Sequence, residues 1–213
     1  MIDPSDLVRD RANVRGADPR MQHQRLDDRL RYIAQFKLFA NVPEDVQIHF
    51  ETGKNLFVYA WYVYRFHMVA EQHILATLEM AIRAHLAASA GGDTPRGLAK
   101  LLRAARANEL IANERLSNRD QWALERARWR HDCAQMQRMN EEGLTECTID
   151  YAHVRPSDED MQFDWLEHFI VTLPDLRNMH AHGSGALYPA VGRTFEIVQE
   201  LINQMFSDDK RKE

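Results

Sequence analysis

The chain has 213 residues, 45% hydrophobic and 28% charged, the balance of one ordinary globular domain rather than a disordered or fibrous protein. A formal charge of −5 argues against coating nucleic acid through a net positive field, which requires many phosphate contacts, but leaves room for a local basic face. The longest apolar-rich stretch, Leu56–Ala90, is interrupted by Arg65, His67, Glu71, His73, Glu79, Arg83 and His85, which excludes a membrane span of about 20 apolar residues.

Residues 1–22 lack periodicity and hold two Asp-Pro steps, Asp3-Pro4 and Asp18-Pro19, so a loose leader without the apolar core of a secretory signal is expected. A cytoplasmic location follows as the expectation. From Gln24 to Phe39 the residues Leu26, Leu30, Ile33, Phe36 and Leu38 recur at helical spacing, and Pro43-Glu44-Asp45 starts a second, short helix. Leu56–Ala88 carries the stripes Tyr62-Phe66-Val69 and Ile74-Leu78-Ile82 on neighbouring faces, the pattern of a central buried helix. Its polar residues His67, Glu71 and His73 read first as satisfied core groups, and Glu79 with Arg83 as a surface i,i+4 pair.

Gly91-Gly92 ends that helix, and Asp93-Thr94-Pro95 opens another that runs to about Ala112. Ser117–Asn140 is helical but strongly charged, with a thin stripe of Trp122, Leu124, Trp129, Met136 and Met139, as in a lid or arm. Ten Lys/Arg face six Asp/Glu between Asp93 and Arg138, which suits either a solvated helix or an RNA-facing surface. Residues 141–160 read as loop, ending in Ser157-Asp158-Glu159-Asp160, a cap for the next helix. Met161–Leu173 is amphipathic, Pro174 forces a kink or a restart with Thr172 as N-cap, and Asp175 then sits in the first turn. Gly183-Ser184-Gly185 is a stop, and Phe195, Val198, Leu201, Ile202 and Met205 mark a last helix before a charged tail, 208–213. No strand pattern is present, so an all-α up-and-down bundle is the economical reading. Cys133 and Cys147 have the spacing of reduced structural thiols.

Chemistry concentrates in Leu173-Pro-Asp-Leu-Arg-Asn-Met-His-Ala-His-Gly-Ser, where a guanidinium, an amide and imidazoles gather at a helix end. In an unbroken helix, five positions separate Arg177 and His182 by about 500° of rotation and roughly 7.5 Å of rise, so they diverge. The glycines after His182 relieve this by letting the helix end and the imidazole swing back. His180-x-His182 fixes no third metal ligand, and neither a metal nor another cofactor is expected.

The run LRNMHAHG, with Arg177, Asn178 and His182, resembles the signature of the HEPN superfamily, an arginine followed by a polar residue and a histidine four to six positions later. Ala70-Glu71 and Leu78-Glu79-Met80-Ala81-Ile82-Arg83 resemble the helix that packs against the motif helix in such bundles. The resemblance implies one domain over 23–207, with a core of about 54–90 and 161–207, a helical insertion at about 91–160 and an N-terminal helical extension. It also implies a metal-independent endoribonuclease in a defence or stress-response setting, acting as a homodimer and subject to an inhibitor or antitoxin partner. Arg177, Asn178 and His182 are then the catalytic residues, with His180, Glu71 and Ser184 at the substrate. Toxin members often carry a tyrosine two residues after the histidine, and Ser184 stands there in this chain. Many such domains are instead non-catalytic dimerisation or interaction modules, and a nucleotide-binding regulator is a third alternative.

Overall fold

The computed structural model describes residues 16–90, 95–181 and 190–207. Among them the chain forms α-helices and short 3-10 turns and no strand, so the protein is an all-α helical bundle. In chain order the helices are α1 (Leu26–Ala34), α2 (Glu44–Tyr59), α3 (Phe66–Ala90), α4 (Leu98–Ala107), α5 (Arg119–Glu142), α6 (Asp158–Met161), α7 (Trp165–Ala181) and α8 (Gly192–Met205). The chain divides into two units, one of Met1–Ala112 with His168–Glu213 and one of Asn113–Glu167, and the division falls in the first turn of α7. Helix α4, which lies inside the stretch 91–160, belongs to the first unit.

The first unit is built around α3, whose Ala70, Ile74, Leu75, Leu78, Ala81 and Ile82 are fully buried. Such residues recur on more than one face, which is why the helix reads as apolar nearly all round. Phe50 and Phe57 of α2 stack edge-on against Phe195 of α8, with ring centroids 6.2 and 5.8 Å apart. Gly53 makes this approach close: a Cβ there would lie 3.3 Å from Ile74 Cδ1 and 3.4 Å from Phe195. Asn203 of α8 accepts from Phe39 N–H at 2.9 Å and donates to Lys37 O at 3.0 Å, which ties the α1–α2 connection to the last helix.

Four sequence expectations change here. The helix expected over Leu56–Ala88 is broken between Tyr59 and Phe66, because a segment expected to be loose supplies better local partners. Asp18, fully buried, accepts from Tyr64 N–H at 3.1 Å through its side chain, while its own N–H donates to Trp61 O at 2.8 Å. Trp61 Nε1 donates to Gln24 O at 2.9 Å. Residues 16–22 are therefore not all leader: Asp18 N-caps a 3-10 turn at Pro19–Met21 and Met21 is fully buried. The second helix is also longer than expected, sixteen residues rather than a short cap.

The fourth change is at Pro174, where the restart offered as one alternative does not occur: α7 is continuous from Trp165 to Ala181. A proline removes one N–H from the ladder and crowds the preceding turn, and burial of Leu166, Phe169, Ile170 and Leu173 holds the helix against that cost. Thr172 is accordingly no N-cap. Its hydroxyl donates to His168 O at 2.9 Å, and Asp175 is an exposed mid-helix residue.

The second unit is organised by Asp160, whose side chain is fully buried. It closes a capping box with Ser157 at the start of α6, receives Arg126 Nε at 3.1 Å and pairs with Arg130. Burial on its own would raise this carboxyl, but the Ser157 and Arg130 hydrogen bonds outweigh it and hold the pKa below the ordinary value. Trp122, fully buried, meets the Trp165 ring edge-on at 5.4 Å, and Arg126 lies 4.1 Å over the Phe163 ring. Trp129 and Met136, counted in the thin apolar stripe, are exposed.

Candidate functional site on α7

Helix α7 carries Arg177 and His180 three positions apart, a spacing that puts both side chains on one face. That face meets carboxylates from α3. His180 Nε2 lies 2.6 Å from Glu71 Oε2, and the hydroxyl of Thr194, in the first turn of α8, donates to Glu71 Oε1. Glu71 is 1% exposed, so its charge is taken up inside the protein by an imidazole and a hydroxyl. Since a carboxylate can only accept at that distance, Nε2 carries a proton in this contact. The His180 side chain is itself 3% exposed and acts as a brace that fixes the last turn of α7.

Arg177 differs. Its side chain is 42% exposed and its Nε stands 3.3 Å from Glu79 Oε1, an ion pair not aligned as a hydrogen bond, since that oxygen is buried and accepts none. The other oxygen of Glu79 lies 3.9 Å from Arg83. The Glu79–Arg83 pair is thus not the independent surface pair expected from the sequence. Glu79 is mostly buried and sits between two guanidiniums. The Arg177 side chain is partly in solvent, so part of its guanidinium can be reached by an anion from outside.

The sequence-expected residues are therefore placed unevenly. Glu71 and His180 are brought together, Arg177 joins the same helix face, and Asn178, about 100° further round, is exposed. His182 and Ser184 lie outside the described residues, and His182 follows directly on the last residue of α7. Two partners were missed. Glu79 has a weak signal, being eight residues after Glu71 on a buried helix. Thr194 has none, because only tertiary packing brings α8 to Glu71. No group of three His, Cys, Asp or Glu among the described residues is arranged to hold a metal ion, and no described helix is long and apolar enough to cross a membrane.

No protein-family model, curated protein or solved structure matches the chain. The functional reading rests on its own residues.

Proposed function

We propose that this protein is a HEPN-type, metal-independent endoribonuclease that uses Arg177 and His182. The observation that carries the reading is the half-exposed guanidinium of Arg177, whose Nε stands 3.3 Å from the mostly buried Glu79. Arg177 stands five residues before His182 in the chain, and the last described turn of its helix is braced by His180, Glu71 and Thr194. In this reading the ribose 2′-hydroxyl attacks the adjacent phosphorus as His182 takes its proton, the bond to the 5′-oxygen breaks, and a proton is returned to that oxygen, leaving a cyclic phosphate and a 5′-hydroxyl end. Arg177 stabilises the charge that builds on the phosphate oxygens. Asn178, exposed beside Arg177, contacts the substrate, and a second copy of the chain completes the cleft across a homodimer, which an inhibitor or antitoxin partner would occlude. Dependence on the 2′-hydroxyl makes RNA, not DNA, the substrate.

A second reading has its own support. The charge of Arg177 already meets Glu79, and the His180–Glu71–Thr194 cluster is internal, as in a structural module that binds or dimerises without turnover. Cleavage of mixed cellular RNA in EDTA, beside Arg177→Ala and His182→Ala, separates the two. Activity lost in both variants supports the nuclease; a wild type that cuts nothing, or variants that cut equally well, leaves the interaction module.

A further inference from the structure

A cavity of about 660 Å³ lies against α1, the C-terminal part of α2 and the N-terminal end of α8, away from the α7 residues. Arg25, Arg29 and Arg193 line it, with Asp28 as the one carboxylate, so three guanidiniums face one negative charge. Asp28 is taken up by Arg31, Arg25 stands 3.7 Å from Asp27, and Arg193 is paired with Glu196 at 3.0 Å.

Arg29 is the unusual member. It is 5% exposed, and its guanidinium hydrogen-bonds to neutral groups. Nε and Nη2 donate to Phe57 O at 3.1 and 2.6 Å, Nη1 donates to Gln24 Oε1 at 3.3 Å, and Nη2 donates to His67 Nε2 at 2.8 Å. His67 accepts there because its Nδ1 is committed to Tyr64 O at 2.8 Å. No carboxylate pairs with Arg29 among the described residues. The carbonyl end of α2 and the face of the Phe57 ring, 3.8 Å from the guanidinium carbon, offset part of the burial cost of the charge. Burial still pulls its pKa down to about 10. A buried cation without a counter-anion, on the wall of a cavity with two further guanidiniums, is a site short of an anion.

We infer that this cavity binds an organic phosphate, a phosphate monoester carried on a flat ring. Arg25 and Arg193 already have carboxylate neighbours, so the positive charge left without one among the described residues is that of Arg29, and a phosphate would supply its missing anion. The volume falls within the roughly 300–1,000 Å³ of small-molecule sites and exceeds the needs of a bare phosphate. Phe57 and half-exposed Tyr32 supply the apolar wall for the ring. Arg29 supplies the fixed charge, and Arg25 and Arg193, on more exposed stems, close on the phosphate oxygens. This site is independent of the ribonuclease reading, since it uses neither Arg177 nor His182.

Titration calorimetry of the full chain at neutral pH and low salt tests it, with phenyl phosphate, adenosine monophosphate and inorganic phosphate as probes. At least one of the two monoesters is expected to bind one to one and at least about tenfold more tightly than inorganic phosphate. Arg25→Ala and Arg193→Ala, which leave the buried Arg29 in place, should each weaken that monoester about tenfold. Arg103→Ala on α4 removes the same charge outside the cavity and should leave the affinity unchanged. Failure of both monoesters to saturate below about 10 mM overturns the proposal. Equal weakening by Arg103→Ala overturns it too, since that is attraction to overall charge rather than a site. Inorganic phosphate binding as tightly as the monoesters overturns the ring.

Discussion

His180 on α7 and Glu71 on α3 meet at 2.6 Å although 109 residues separate them in the chain, and both side chains are almost wholly inside the protein. Taking one partner from such a pair strands the other in a low-dielectric surrounding, which costs more than the pair contributes when intact. His180→Ala should therefore lower stability by about 3 kcal/mol, measured as a shift of the urea midpoint at unchanged slope. Glu71→Gln, which keeps the shape and a hydrogen-bonding group, should cost clearly less. Equal losses in the two variants would contradict the view that a stranded charge is what hurts.

The same logic reaches Arg177 and Glu79 with a smaller amplitude, because Arg177 is partly in solvent and its pairing is screened. Arg177→Ala is expected to cost about 1 kcal/mol by taking the neighbouring cation from the buried Glu79 Oε1, and Glu79→Gln in the same chain should recover most of it. Unfolding of the two single variants and the double variant measures the coupling. If Arg177 serves only to pair with Glu79, Arg177→Lys keeps any RNA cleavage; if its fork holds a phosphate, the lysine loses most of it while stability stays near wild type.

His67 gives a pH dependence with a definite sign. Burial first, and then the neighbouring Arg29 charge, lower its pKa from 6.5 to about 4. Between those values the unfolded chain binds the proton and the folded chain does not. Stability is thus complete above pH 6.5, falls as the pH drops from 6.5 toward 4, and by linkage changes by about 3 kcal/mol in all. His73, also lowered by burial, adds to the same slope. The lowered carboxyl of Asp18, where hydrogen bonds from Arg20 and Tyr64 outweigh the effect of burial, acts in a separate window: its contribution is lost only below about 3.8. Chemical unfolding at several pH values, wild type beside His67→Gln, should show a flatter profile in the variant.

Asp160 is the anchor of the second unit. Asp160→Ala removes the reciprocal cap of α6 and leaves Arg126 and Arg130 without their shared buried carboxylate. A loss of about 2–3 kcal/mol in that unit is expected, seen as faster amide exchange and proteolysis within 113–167. Exchange in α2 and α8, which belong to the other unit, should stay near wild type.

Much of the fold was legible in the sequence because its helices have strong local signals. Residues Arg119–Glu142 and the apolar stripe of α8 stand where periodicity put them, whereas the acidic run after Ser157 forms a short helix of its own, capped by Ser157, and the next helix starts only at Trp165. Glu71 as a satisfied core group was legible from its place on an otherwise apolar helix, but its pairing with His180 was not. What periodicity could not reveal is how non-local hydrogen bonds override it. A helix through 60–65 is locally acceptable, yet Asp18 and Gln24, some forty residues earlier, take the backbone and indole groups that end it. Pro174 is locally unacceptable in a helix, yet buried neighbours on α7 carry the helix through it. Thr194 as a partner of Glu71, Glu79 as a neighbour of Arg177 and the buried, carboxylate-free Arg29 exist only once the helices pack. A sequence fixes which groups must be satisfied when buried, and only the tertiary structure decides which distant group satisfies them and which charge is left waiting for a ligand.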